Sequence, residues 1–307
     1  MQVPFKLTIL GSSSATPTSE RYPTAQVLNV LGRFFLIDCG EGTQQQLRRN
    51  RINYSKIDHI CISHLHGDHF FGLIGLISTF ILQGRRSALH IYAHSELQRY
   101  IKFQLDFLQL DQTAFPLIFH PLNFKRPQVI VENKKLRVSS FPLKHRIACC
   151  GFLFEELPRE ANIIKEKIAQ YNIPIREIKN IKAGAEFITE NGQVIPNAEL
   201  TIPAPKPRSY AYCSDTAYNE AMIDTIRGVD LLYHEATFAQ QDTALAAATF
   251  HSTGVQAAQI AKAAEAKKLL IGHFSARYKT PAEILRQARD IFPATEAVKD
   301  NASYLVE

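Results

Sequence analysis

With 307 residues, 46% of them apolar, the chain can bury a large core, which excludes a disordered or fibrous polypeptide. Thirty-five Lys and Arg against 29 Asp and Glu leave a net charge of +6 and an isoelectric point near 9.0, a balance that suits an acidic partner such as nucleic acid without requiring one. Cys39, Cys61, Cys149, Cys150 and Cys213 are an odd number of cysteines in apolar, strand-like surroundings, so neither a disulfide framework nor a thiolate zinc site is expected, and a reducing cytoplasm fits. No signal-type cleavage site follows the opening run, and no apolar run reaches the roughly eighteen residues of a membrane span, so no membrane association is expected.

Residues 5–10 (FKLTIL) are expected as a strand, and TAQVLNV and RFFLIDCG as two more joined by the tight turn Leu31-Gly32. EGTQQQLRRN follows as a short helix, IDHICIS as a mostly buried strand, and FFGLIGLISTFILQ as a densely apolar packed helix. Further strands are expected at ALHIYA, PLIFH, QVIV, KLRVSSF and GFLFEEL, with the helix ELQRYIKFQLDFL among them. Residues 156–187 break this alternation. It resumes with strand YAYCSD, helix NEAMIDTIRG, strand VDLLYHEA, helix TGVQAAQIAKAAEAK, strand KLLIGH, helix PAEILRQARDIF and strand EAVKD.

No repeat, low-complexity tract or long linker divides these halves, so residues 1–307 read as one α/β domain of two similar layers with an inserted arm at about 156–187. Between Lys165 and Lys182 the arm carries five basic residues, Lys165, Lys167, Arg176, Lys179 and Lys182, against the acidic Glu166 and Glu177. By charge pattern alone this could equally be a solvated surface helix.

The string HLHGDH at 64–69 follows a buried strand and precedes an apolar helix. Core packing does not explain three imidazoles and a carboxylate in six residues, whereas zinc, and less tightly manganese, take these ligands at hydrolytic sites. Gly67 is expected to allow a sharp backbone path. His64 and His66, two residues apart in an extended segment, point the same way, while Asp68 and His69 lie beyond the bend and aim elsewhere, which implies two neighbouring metal sites. Two metals need further ligands. His145, Asp215 and His273 each close an apolar strand and begin a loop, the same context as HLHGDH. A lone histidine in such a place is more often an ordinary loop residue, so the recurrence is the signal. His59, His90, His94 and His120 read as structural. His251 in TFHST and His234 with Glu235 in LLYHEATF are intermediate, placed in loops where substrate could be touched.

Taken together, HLHGDH, His145, the Asp215 of CSDT, HEATF, HST and GHFSARY resemble the metallo-β-lactamase fold superfamily, and the last three motifs resemble in particular its ribonuclease Z branch. The resemblance runs in order from GSSSATP to His273 and beyond. It implies an αβ/βα sandwich of two mixed sheets flanked by helices, and a zinc-dependent endonuclease that removes the 3′ trailer from precursor tRNA. On the matching positions, His64, His66 and His145 would bind one zinc, Asp68, His69 and His273 a second, and Asp215 would bridge them. The resemblance further implies that Asp68 accepts a proton, that His251 contacts the substrate phosphate, and that Glu235 is the hydrogen-bonded companion of His251. It also implies a homodimer in which the arm of one subunit reaches tRNA at the site of the other.

Two segments depart from the family pattern. The N-terminal loop Pro17-Thr18-Ser19-Glu20-Arg21-Tyr22 keeps only the proline and arginine of Pro-x-Lys-x-Arg-Asn, and the arm stretch NIPIREIKNIKAG keeps Pro174 but lacks a Gly-Pro pair. The rival reading retains the metals and drops tRNA, giving a general phosphodiesterase or arylsulfatase-like hydrolase of small substrates. A nucleic-acid-binding protein with structural metals is disfavoured, because structural zinc sites are closed and usually rich in cysteine.

Overall fold

Strand β1 (Phe5–Gly11) is buried at every position except Lys6, as a strand covered on both faces must be. The computed structural model, which describes residues 5–110 and 115–307, pairs it antiparallel with β2 (Ala25–Val30), and β2 with β3 (Arg33–Cys39). Residues 1–4 of the N-terminal strand-like run lie outside the described residues. Leu31 and Gly32 turn the hairpin with φ of 54° and 80°, the paired left-handed geometry that a two-residue hairpin needs and that Gly32 adopts without steric cost. Helix α1 (Thr43–Arg49) leads to β4 (Ile57–Cys61), which runs parallel to β3. The parallel half continues through α2 (Gly67–Phe70), α3 (Leu73–Leu82), β5 (Leu89–Ala93), α4 (Ser95–Phe107) and β6 (Leu117–Pro121). The crossovers bring Leu47, Leu76, Phe80, Leu97 and Ile101 of these helices against Leu36, Ile60 and Ile91 of the sheet. The apolar segment expected as a helix at 70–83 forms α3 from Leu73, while its first residue, Phe70, ends the short α2 that begins inside HLHGDH.

The second sheet opens as an antiparallel meander of β7 (Gln128–Glu132), β8 (Leu136–Pro142) and β9 (Cys150–Glu156). The chain then leaves the sandwich as β10 (Asn162–Ile163), α5 (Lys165–Gln170), α6 (Ile175–Lys182), β11 (Phe187–Ile188), β12 (Val194–Ile195), α7 (Asn197–Leu200) and β13 (Thr201–Ile202). This excursion does not end at residue 187, because β10 pairs with β13 and Ile173, Ile181, Phe187, Ile195 and Leu200 enclose a small core of their own. Its root is a buried ion pair. Arg208 donates from Nε to Glu156 Oε2 (2.9 Å) and from Nη2 to Oε1 (2.8 Å), a two-point grip that joins the two ends of the excursion.

The chain re-enters as β14 (Ser209–Cys213), antiparallel to β9, and proceeds through β15 (Leu231–Glu235), α8 (Thr243–Thr249), α9 (Gly254–Ala263), β16 (Lys268–Gly272), α10 (Ala282–Ile291) and β17 (Thr295–Ala297), with β14 to β17 parallel. NEAMIDTIRG is not an α-helix but a single 3₁₀ turn at Glu220–Met222, capped by the Asn219 side chain. Strand β18 (Ser303–Leu305) returns to pair with β1, so the last strand completes the first sheet. Two seven-stranded mixed sheets result, in orders β18-β1-β2-β3-β4-β5-β6 and β17-β16-β15-β14-β9-β8-β7. Phe5, Ile9, Phe35 and Ile37 pack between them against Phe152, Phe154 and Tyr212, and the helices lie outside. This is the αβ/βα sandwich that the motifs imply. Among the described residues, no helix is long and apolar enough to cross a membrane.

Candidate metal centre

The ring tautomers of four histidines follow from what their Nδ1 atoms meet. Asp38 Oδ2 accepts from the Ser63 hydroxyl (2.9 Å), and the same hydroxyl oxygen lies 3.0 Å from His64 Nδ1 and so accepts from it. Asp38 Oδ2 also accepts from His69 Nδ1 (2.8 Å). His145 Nδ1 donates to the Phe250 carbonyl (3.0 Å), and His273 Nδ1 to the Thr237 hydroxyl (3.0 Å), whose own proton goes to Glu235 Oε2 (2.6 Å). With each Nδ1 donating, Nε2 is the atom of each ring left to face a metal, the arrangement by which proteins orient metal-binding imidazoles.

Those free nitrogens converge. His64 Nε2 and His145 Nε2 lie 3.0 and 3.2 Å from His66 Nδ1, and with Asp215 these residues offer donor atoms all within 4.8 Å of one another. Asp68, His69 and His273 form a second such group, and a third, Asp215, His251 and His273, takes one member from each and adds His251. Asp215 faces the first two. Its Oδ2 is 3.6 Å from His64 Nε2 and 3.8 Å from His145 Nε2, while its Oδ1 is 3.2 Å from His69 Nε2 and 3.1 Å from His273 Nε2. His69 Nε2 and His273 Nε2 are buried without a hydrogen-bond partner despite this proximity, so the donors surround shared points in space instead of bonding to each other. A set of imidazoles and carboxylates directed at two common centres fits divalent cations, zinc foremost.

The two groups differ in charge. Burial keeps His64, His66 and His145 below the ordinary histidine value, so these rings are neutral donors. Burial would also lower His69, but the Asp215 and Asp68 carboxylates outweigh it and hold this ring well above that value. Burial would raise Asp68, yet the His69 charge prevails and keeps its carboxyl well below the usual range. Such a pair takes up a cation by releasing protons.

Beside these groups, His251 Nδ1 donates to Glu235 Oε1 (2.7 Å), and the ring forms a wall of the cleft that His66, Asp68 and His145 also line, about 570 Å³ in volume. Burial lowers His251, but Glu235 overrides it and pushes the imidazole up to about 9, so the ring is an acid at neutral pH. The HST segment divides its work. Ser252 donates to the Thr216 carbonyl (2.6 Å) beside Asp215, and Thr253 caps α9 in a reciprocal box with Gln256.

A protein described as ribonuclease Z from Bacteroides thetaiotaomicron is 49% identical over 297 residues, 97% of this chain and 94% of that one. Another from Phocaeicola vulgatus is 46% identical over 303 residues, 99% of this chain and 98% of its own. The chain belongs to the ribonuclease Z family. The short form of human tRNase Z has the same fold, with a TM-score of 0.71 at 25% identity over 98% of this chain and 99% of that one. The metallo-β-lactamase fold protein YhfI of Bacillus subtilis shares the fold at 18% identity and a TM-score of 0.68, over 98% of this chain and 99% of that one. Residues 5–163 also match the family model described as anti-Pycsar protein Apyc1. Membership in the ribonuclease Z family makes the chain a metal-dependent nuclease.

Several features of this ribonuclease Z chain escape sequence reasoning. Asp38, fully buried, accepts from the Ser63 amide (2.7 Å) and the Tyr212 hydroxyl (2.7 Å) as well as from His69 and Ser63 Oγ. Its signal was present as a carboxylate near the end of the apolar strand RFFLIDCG, the same context as Asp215. The Ala15 amide donates to Asp68 Oδ2 (2.8 Å) from the GSSSATP loop. Gly67 opens α2 directly after the extended His66, without a left-handed φ, and it also provides room, since a Cβ there would stand 2.2 Å from Cε2 of Phe71. His234 and Glu235 are the last two residues of β15, not loop residues, and His234 is buried away from the cleft lining. Arg21 is engaged within the fold, donating to the Tyr278 carbonyl (2.7 Å).

Proposed function

We propose that this chain is a zinc-dependent endoribonuclease that cuts the 3′ trailer from precursor tRNA and leaves a 3′-hydroxyl on the tRNA, using two metal ions. The observation that carries the reading is Asp215, whose two carboxylate oxygens face two separate donor groups, as a ligand shared by a metal pair would. His64, His66 and His145 would hold one ion and Asp68, His69 and His273 the other, with Asp215 common to both; manganese is the second candidate. Such a pair supplies an acidified water and a sink for charge on the phosphoryl oxygens.

The remaining work falls to side chains. Asp68, with Oδ2 held by the Ala15 amide, takes the proton of the attacking water. His251, aligned through Nδ1 by Glu235, presents Nε2 to the phosphoryl group and protonates the departing 3′ oxygen. Family membership supports tRNA as substrate, the excess of basic residues suits a polyanion, and all five cysteines are free and buried, as suits the cytoplasm. A homodimer, in which the excursion at 157–208 grips tRNA bound at the partner site, belongs to the same reading.

Incubation with trailer-bearing precursor tRNA, with and without an encoded CCA, mapped at nucleotide resolution, tests the proposal. One cut at the trailer junction is expected, lost on chelation and in Asp68→Ala. An Asp68→Ala protein retaining a tenth of the parent kcat would remove its assigned role. Hydrolysis of bis-p-nitrophenyl phosphate without trailer cleavage would move the activity to small diesters.

A further inference from the structure

Phe70 and Phe71 follow the metal motif directly and have opposite fates. Phe70 is buried against the core, its ring 5.3 Å from that of Tyr100, whereas Phe71 is 54% exposed. A single exposed aromatic is ordinary on a protein surface. This one stands two residues from His69 and lines the same cleft as His66, Asp68, His145 and His251. It also packs against its own helix. Its amide donates to the Gly67 carbonyl (2.9 Å), its ring meets that of Phe70 edge-on at 4.9 Å, and its Cε2 would stand 2.2 Å from a Cβ at Gly67, so the ring packs directly over that backbone. With one side of the ring against the Gly67 backbone, exposed ring surface contributes to the cleft lining. Arg146, next to His145, lines that cleft too, is exposed, and has no ion-pair or hydrogen-bond partner among the described residues.

An exposed aromatic ring and an unpaired guanidinium beside a phosphodiester-cleaving centre match the two parts of a nucleotide, its base and its phosphate. We propose that Phe71 is the stacking platform for the base of one of the two nucleotides flanking the scissile phosphate, with Arg146 on that nucleotide's phosphate. The inference rests on the RNA-cleaving reading above and specifies how the RNA is held. Because the ring already packs against Phe70 and the Gly67 backbone, part of the ordering that stacking requires is present before RNA binds.

Kinetics of the metal-loaded protein on precursor tRNA test it. Phe71→Ala lowers kcat/KM by about 5- to 150-fold, mainly through KM, the range for losing one base stack. Phe71→Tyr restores most of the loss, and metal content and melting temperature are unchanged in both. An abasic nucleotide placed in turn on each side of the cleavage site makes Phe71→Ala and the parent equal at one position. Unchanged kinetics in Phe71→Ala, or an equal loss on both abasic substrates, would overturn the proposal.

A second readout needs no cleavage: a short single-stranded RNA carrying 2-aminopurine is quenched on binding to the parent and not on binding to Phe71→Leu. Absence of binding or of quenching would likewise overturn it. Quenching without trailer cleavage would keep the platform and sink the tRNA reading.

Discussion

Glu235 shows how much one buried carboxylate can organise. It accepts from the Thr216 amide (2.9 Å), the Thr237 amide (3.1 Å) and hydroxyl (2.6 Å) and His251 Nδ1 (2.7 Å), and through Thr237 it orients His273 as well. His251→Ala should reduce kcat by about 10²–10⁴-fold, the scale of a positioned acid or oxyanion donor, with metal content unchanged. Metal lost in step with activity would make His251 a ligand. Glu235→Gln removes the charge that holds His251 up near 9. A raised group is protonated below its pKa, so the alkaline limb of the kcat profile should move to lower pH in this variant; an unmoved limb would show that His251 is not the acid. Asp38→Ala removes the acceptor that sets the His69 tautomer, and metal affinity should fall about 10–100-fold in competition with a chelator, the usual cost of losing such a support.

At the scale of elements, the strand ends repeat one device. Asp38, Asp215 and His273 all have left-handed φ, at 56°, 58° and 59°, so the backbone turns as each strand finishes and the polar side chain enters the site. The excursion between Glu156 and Arg208 is a separate element with its own core. Within it Lys167 is paired with Glu199 (3.0 Å), Lys182 with Glu160 (3.2 Å) and Arg176 with Glu177 (3.6 Å), whereas Lys165 and Lys179 have no ion-pair partner among the described residues. Replacing residues 159–206 by a short linker should raise KM for precursor tRNA and leave hydrolysis of bis-p-nitrophenyl phosphate nearly unchanged. If the two free lysines contact phosphates, the slope of log K against log salt flattens by about 0.7–0.9 for each. Unchanged tRNA affinity and slope would show the excursion to be a bystander.

For the whole molecule, the site exists only where the rims of the two sheets meet. HLHGDH comes from the first sheet, His145, Asp215 and His273 from the second, and Ser13, just after β1, bridges across the junction to Phe274, just after β16. If the seven proposed ligands act as two groups, the chain should hold close to two metal ions, and elemental analysis finding at most one, with full activity, would refute this. Because carboxylates hold the His69 proton above its ordinary pKa, metal must displace it, so binding should release protons and weaken as pH falls. Calorimetric titration in buffers of different ionisation enthalpy measures that release.

The alternation of strands and helices was legible because periodicity and turn residues are local, and HLHGDH was legible because six adjacent residues cannot hide their chemistry. The period-two rule even separates His64 and His66 from Asp68 and His69, as the two donor groups do. Other features depend on residues that meet only after the sheets pair. Asp38 is tied to His69 and Tyr212 across 31 and 174 residues of chain, β18 finds β1 from the opposite end, and the excursion outruns residue 187 because its core draws on Leu200. Register and sheet packing bring such groups together, and a linear pattern carries no trace of which distant partner a buried carboxylate will meet.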